Sequence, residues 1–192
     1  MADYFTPTVV RPAIPIADIT PLERLLLSHI FNAEPEGEGL YFYADERPAN
    51  TVWLDRAPLE AALAQSKAHA DSAAAAFVIE QLARVPPDDV EIELDVGTLC
   101  WEAIFQDIVR RSPRLRYVSA IAVFTCSKMS PDGFGGMAVL ITADTVMRKS
   151  TGDIIADFLK QGRARLCGRA GPGVKRLLLT HLRSTRGSLR RE

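Results

Sequence analysis

LRYVSAIAVFTCSKMSPDGFGGMAVLITA, residues Leu115–Ala143, is the stretch whose reading decides the fold. Its two arms are almost free of charge and rich in β-branched and aromatic residues, which suit a pleated, packed surface. They read as two β-strands joined by a Gly-rich loop. In the first arm Tyr117, Ile121 and Val123 share one side, and Val118, Ala120, Ala122 and Phe124 the other. In the second, Met137, Val139 and Ile141 oppose Ala138 and Leu140. Apolar residues on both sides predict a hairpin in mid-sheet, covered on two faces.

Upstream of this hairpin the clearest signal is Asp89, Glu91, Glu93 and Asp95 alternating with Val90, Ile92, Leu94 and Val96. That is a strand of period two, one face buried and the other carrying carboxylates about 7 Å apart. Such a row must stay wet or face cations. A straight strand spreads its side chains instead of converging them, so no metal site is expected there. Helix Thr98–Arg111 follows, burying Leu99, Cys100, Ala103, Ile104 and Ile108, with Asp107 and Arg111 paired on its outer surface.

Further back, Thr20-Pro21-Leu22-Glu23 has the form of a capping box opening a helix, with Leu22, Leu25, Leu26 and Ile30 as its buried stripe. An acidic turn, Glu34-Pro35-Glu36-Gly37-Glu38-Gly39, ends that segment. Leu40–Tyr43 and Thr51–Leu54 read as a hairpin, and the Ala-rich run from Pro58 to Val85 as two helices broken near Lys67–Asp71. Met1–Ile19, interrupted by Pro7, Pro12 and Pro15, reads as an extended arm. After the central hairpin, Ser150-Thr151-Gly152-Asp153 opens a short helix with Ile154, Ile155, Phe158 and Leu159 inside and Gly162 as its stop. The expected fold is α+β: a mostly antiparallel sheet of about five strands with helices packed against it. Three segments are expected, an N-terminal arm over 1–19, one domain over 20–162 and a flexible basic tail over 163–192.

The 192 residues carry a net charge of −1, which conceals a division. From Arg163 onward there are nine Lys or Arg against one Glu, a net +8; the preceding 162 residues hold 14 bases and 23 acids, a net −9. Arg163, Arg165, Arg169, Lys175, Arg176 and Arg183 are the candidate contacts to a polyanion, most simply nucleic-acid phosphate. The tail has no aromatic residue to stack on bases, so binding would be non-specific and salt-sensitive. A protein partner, or a purely solubilising terminus, fits the same charge. One sharper variant pairs the acidic strand with the basic tail. No apolar run approaches a membrane-spanning length, so no membrane contact is expected. Three well-separated cysteines, Cys100, Cys126 and Cys167, make no disulfide framework and point to a reducing, cytoplasmic setting.

The loop Ser127–Gly135 is the candidate site, being long for a hairpin connection. Cys126, Lys128 and Asp132 offer a thiol, a cation and a carboxylate, while Gly133, Gly135 and Gly136 could expose backbone N–H groups to an anion. Turn and bulge chemistry explains the same glycines without a ligand. No P-loop is present, and none of His29, His69 and His181 can be set beside Cys126 as its base. Neither cofactor nor metal is implied.

Two segments, TPLERLLLSHIFNAEPEGEGLYFYAD (Thr20–Asp45) and FTCSKMSPDGFGGMAVLITAD (Phe124–Asp144), resemble a family of uncharacterised bacterial proteins associated with plasmids and other mobile elements. The resemblance spans about Thr20–Leu159 and excludes the basic tail. It implies a cytoplasmic accessory protein and carries over no catalytic residue. The expectation is therefore a non-catalytic interaction protein, with a small enzyme acting on an anionic substrate at the Gly-rich loop as the alternative.

Overall fold

A computed structural model describes residues 2–69, 71–130 and 133–168, with side chains through Gln161. The central hairpin forms as expected: β8 (Tyr117–Cys126) pairs antiparallel with β9 (Gly135–Thr142), from Tyr117 opposite Thr142 to Phe124 opposite Gly135. Val118, Ala120, Ala122, Val139 and Ile141 lie on the buried face. On the other face Tyr117, Ile121 and Val123 are 51%, 52% and 44% exposed. The expected cover on both faces is thus corrected. The β-branched and aromatic residues there satisfy strand geometry and cross-strand contact, as Ile121 does opposite Val9, without needing a second layer.

The hairpin lies inside a wider antiparallel sheet than the five strands expected. β10 (Val146–Ser150) flanks β9, and β2 (Thr8–Arg11) flanks β8, with β1 (Tyr4–Phe5) pairing the far end of β8 at Thr125 and Cys126. Next comes β5 (Gly39–Ala44), which also pairs with β3 (Ile14–Pro15) and with β4 (Asn32–Glu36), giving eight strands in all. The N-terminal arm is extended, as its prolines suggest, yet it supplies three of these strands and buries Val10 and Ile14 completely. Half of the acidic turn is strand β4, closed by Gly37 at a φ of 59°, the left-handed region that glycine enters without a Cβ penalty.

β6 (Thr51–Asp55) does not pair with β5. One edge of β5 is taken by β2 and β3 and the other by β4, so β6 pairs instead with β7 (Glu91–Asp95) as a separate ribbon. The period-two reading holds within β7, where Ile92 and Leu94 are buried and Glu91, Glu93 and Asp95 are exposed beside Trp53 and Asp55; Val90, expected on the buried face, precedes the strand and is 75% exposed.

The helices α1 (Pro21–Ile30), α2 (Arg56–Gln65), α3 (Ala73–Arg84) and α4 (Trp101–Arg111) complete the body. Both halves of the Thr20/Glu23 capping box are present. The core joins these helices to the sheet and ribbon through Phe31, Phe42, Trp101 and Phe105, whose rings meet largely edge to face. Asp107 pairs with Arg110 at 2.9 Å and accepts the Ala73 N–H at the start of α3; Arg111 turns inward instead to Glu23, at 2.6 Å.

The chain divides into two compact units, Met1–Ser150 and Thr151–Glu192. In the second, α5 (Thr151–Gly168) runs through Gly162 without stopping. A helix-interior glycine costs only about 1 kcal/mol relative to alanine, too little to end a helix by itself. Ile155, Phe158 and Leu159 are 59%, 65% and 63% exposed, which corrects the expected burial. Their spacing defines an amphipathic stripe but not what the stripe faces.

Candidate functional site

The Gly-rich loop is tied down at its β8 end. Ser127 N–H donates to the Asp3 carbonyl and Asp3 N–H to Ser127 Oγ, both at 2.9 Å. Gly133 is buried against this end of the strand. A Cβ there would lie 2.4 Å from Cys126 Cβ and 3.5 Å from the Tyr4 ring, so close approach to the thiol residue is what requires glycine at 133. At Gly136 a Cβ would meet the Ala122 carbonyl at 3.1 Å, and Gly135 pairs with Phe124 inside the ladder. Gly133 and Gly136 therefore have packing roles, and Gly135 is an ordinary ladder position. Cys126 is half-buried and Lys128 exposed; Asp132 lies outside the described residues. Of the tail candidates, Arg163 and Arg165 fall within α5, and Arg169, Lys175, Arg176 and Arg183 lie outside the described residues.

The concavity that the hairpin does line opens on its inner face, away from Cys126 and Lys128. It holds about 470 Å³. Its floor is Ala120 and Ala122 of β8 with Met137 and Val139 of β9; Val96–Leu99 and the start of α4 form a wall; Arg47–Asn50 stands at the mouth. Short side chains on the floor create the space, because the same sheet face carries Val118 and Ile141 just beyond it.

One wall holds a charged cluster that draws on β10 and the N-terminal end of α4. Arg148 of β10 grips Glu102 Oε1 with Nη2 at 2.8 Å and Nε at 3.2 Å. The Cys100 thiol donates to Glu102 Oε2 at 3.1 Å, and Glu102 itself is buried. Cys100, expected inside the helix, is instead the exposed residue flanking its N-terminus. Partial burial of the thiol pushes its pKa up, and the bond to anionic Glu102 pushes further the same way. The Ala103 N–H and Arg148 oppose this only in part. A thiol held protonated is a poor nucleophile, since the thiolate is the reactive form. In a Cys126→Ser, Cys167→Ser background, alkylation of Cys100 by iodoacetamide should therefore rise with pH later than for a free thiol. Glu102→Gln removes the anion and leaves Arg148, so the rise should move to lower pH. Peptide mass spectrometry against pH reads both, and superimposable profiles would contradict this account.

A second concavity, of about 460 Å³, is lined by Arg11, Arg114, Arg116 and Tyr117 on the acidic unit. Arg11 pairs with Glu36 at 2.8 Å and stacks over Tyr41, and Arg114 pairs with Glu38 at 3.3 Å. Arg116 is exposed and has no ion-pair partner among the described residues. Glu102, Arg148 and Arg47 escape sequence reasoning because a helix, an unrecognised edge strand and a loop bring them together. The one local signal is the Cys100-x-Glu102 spacing at a helix start.

Together these features define a two-unit α+β protein with an antiparallel sheet, exposed apolar residues on one sheet face, and a lined cavity under its central hairpin. No family model, curated protein or solved structure matches the chain. Among the described residues no helix is long and apolar enough to cross a membrane, and no group of three or more His, Cys, Asp or Glu is placed to hold a metal ion.

Proposed function

We propose that this chain is a non-catalytic accessory protein in which an acidic α+β body carries a basic C-terminal unit that contacts nucleic-acid phosphate. The observation that carries the reading is the coincidence of charge with architecture. Unit Met1–Ser150 holds 13 bases and 21 acids, a net −8, while unit Thr151–Glu192 holds ten bases and three acids, a net +7. A segment with that excess of Lys and Arg attracts polyanions through counterion release, with no need of base-specific contacts. The groove of Arg11, Arg114 and Arg116 adds little to this, because Arg11 and Arg114 are paired with Glu36 and Glu38. The cytoplasm of a bacterium carrying a plasmid or other mobile element is the setting that goes with the proposal, on the strength of the resemblance at Thr20–Asp45 and Phe124–Asp144.

Gel retardation of a generic duplex by the full chain at low salt tests this reading. The expected result is a shift that weakens as salt rises and is lost on deleting Arg163–Glu192. Equal affinity after that deletion would remove the tail as the contact.

A further inference from the structure

We propose that the cavity beneath the central hairpin is a binding site for a small organic anion with an apolar body, a medium-chain carboxylate being the simplest example. Every residue that lines it belongs to the unit Met1–Ser150, so the proposal does not depend on the basic segment.

Size comes first. A cavity of about 470 Å³ lies within the range of roughly 300–1,000 Å³ typical of small-molecule sites. Its depth comes from alanines: Ala120 and Ala122 are 2% and 7% exposed and stand where larger residues on the same strand face would fill the space. Leu99, Trp101, Met137 and Val139 continue the apolar lining. The body of a ligand here must therefore be apolar.

Polar groups on the lining are mostly engaged with one another. Thr8 Oγ1 donates to the Thr6 carbonyl at 3.0 Å, and Thr98 Oγ1 to the Asp95 carbonyl at 2.7 Å. Gly97 N–H donates to the Asn50 carbonyl at 2.8 Å, which ties the two rim loops together. Glu102 is neutralised by Arg148, and the Cys100 thiol stays protonated. That leaves Arg47, exposed at the mouth, with no ion-pair partner among the described residues. The lining thus carries one unmatched positive charge at the rim of an apolar hollow, which selects an anionic head on an apolar tail. A nucleobase fits less well. Trp101 packs edge to face on Phe31 and Phe105, at 5.4 Å and 6.0 Å between centroids, so it is engaged with the core.

Decanoate is the probe, with decylamine and decanol as matched controls, titrated calorimetrically into the full chain. We expect decanoate to bind once per chain, decanol more weakly and decylamine not at all. Ala122→Leu fills the floor and should reduce decanoate binding by at least tenfold. Arg47→Gln, at an exposed position where folding is not at risk, should weaken decanoate about tenfold and leave decanol unchanged. Retained decanoate binding in both variants would overturn the proposal, because the anion would then sit on the basic segment or another surface. Equal binding of decylamine, or no binding of decanoate at millimolar concentration, would overturn it as well.

Discussion

Arg111→Ala lowers stability by about 3–5 kcal/mol, as expected when one partner of a buried ion pair is removed. Glu23 is 0% exposed, and its Oε2 receives Arg111 at 2.6 Å and the Thr20 N–H at 3.0 Å. Among the described residues its Oε1 has no hydrogen-bond partner. Without the guanidinium, a carboxylate that already has one bare oxygen would stay buried with only backbone support. The same change frees the last turn of α4 from the first turn of α1, which this pair joins. Replacing both members, Glu23→Leu with Arg111→Met, should cost less than Arg111→Ala alone, because no orphaned charge remains. Urea unfolding of the three proteins measures it. A loss below about 1 kcal/mol for Arg111→Ala would mean that water reaches Glu23.

Phe105→Ala is expected to cost a similar amount, about 3–5 kcal/mol, through cavity formation. The ring is fully buried, with Phe42, Trp101 and Phe31 at centroid distances of 5.8 Å, 6.0 Å and 6.1 Å. Phe105 is where α4, the sheet residue Phe42 and the end of α1 meet, so the void left behind cannot close by moving one side chain. Trp53→Ala is the control. Trp53 is 56% exposed on the acidic ribbon, and its removal should change stability by no more than about 0.5 kcal/mol. Domains of this size are stable by only about 5–15 kcal/mol, so the Phe105 variant should unfold at a visibly lower urea midpoint.

The features legible in the sequence are those that depend on neighbours in the chain. Thr20-Pro21-x-Glu23 forms its capping box because the box is a matter of four residues. The β7 alternation holds because period two specifies its own two faces. The β8–β9 hairpin holds because its arms are long and uncharged. What failed depends on partners far away in the chain. Thr8–Arg11 is four residues between prolines, too short for a periodic signal, yet it pairs with both β5 and β8. Thr51–Asp55 is a strand as read, but its partner is Glu91–Asp95 and not the preceding strand. The apolar residues at 121, 123, 155, 158 and 159 fit strand or helix geometry, and that geometry does not say whether a second layer covers them. For the site, turn and bulge chemistry explained the loop glycines as readily as anion binding did, and what the structure shows at Gly133 is a third role, close packing against Cys126. The cavity further along the same strands has no contiguous signature, because its charged groups sit at positions 47, 102 and 148.

The most direct test of the basic-unit account is the salt dependence of duplex binding by the full chain. Each phosphate neutralised should contribute a slope of about −0.9 to log K against log salt concentration. Engagement of most of the nine bases from Arg163 onward predicts a slope steeper than about −4. A slope no steeper than about −1 would contradict the account, because the charge would then not be what holds the polyanion.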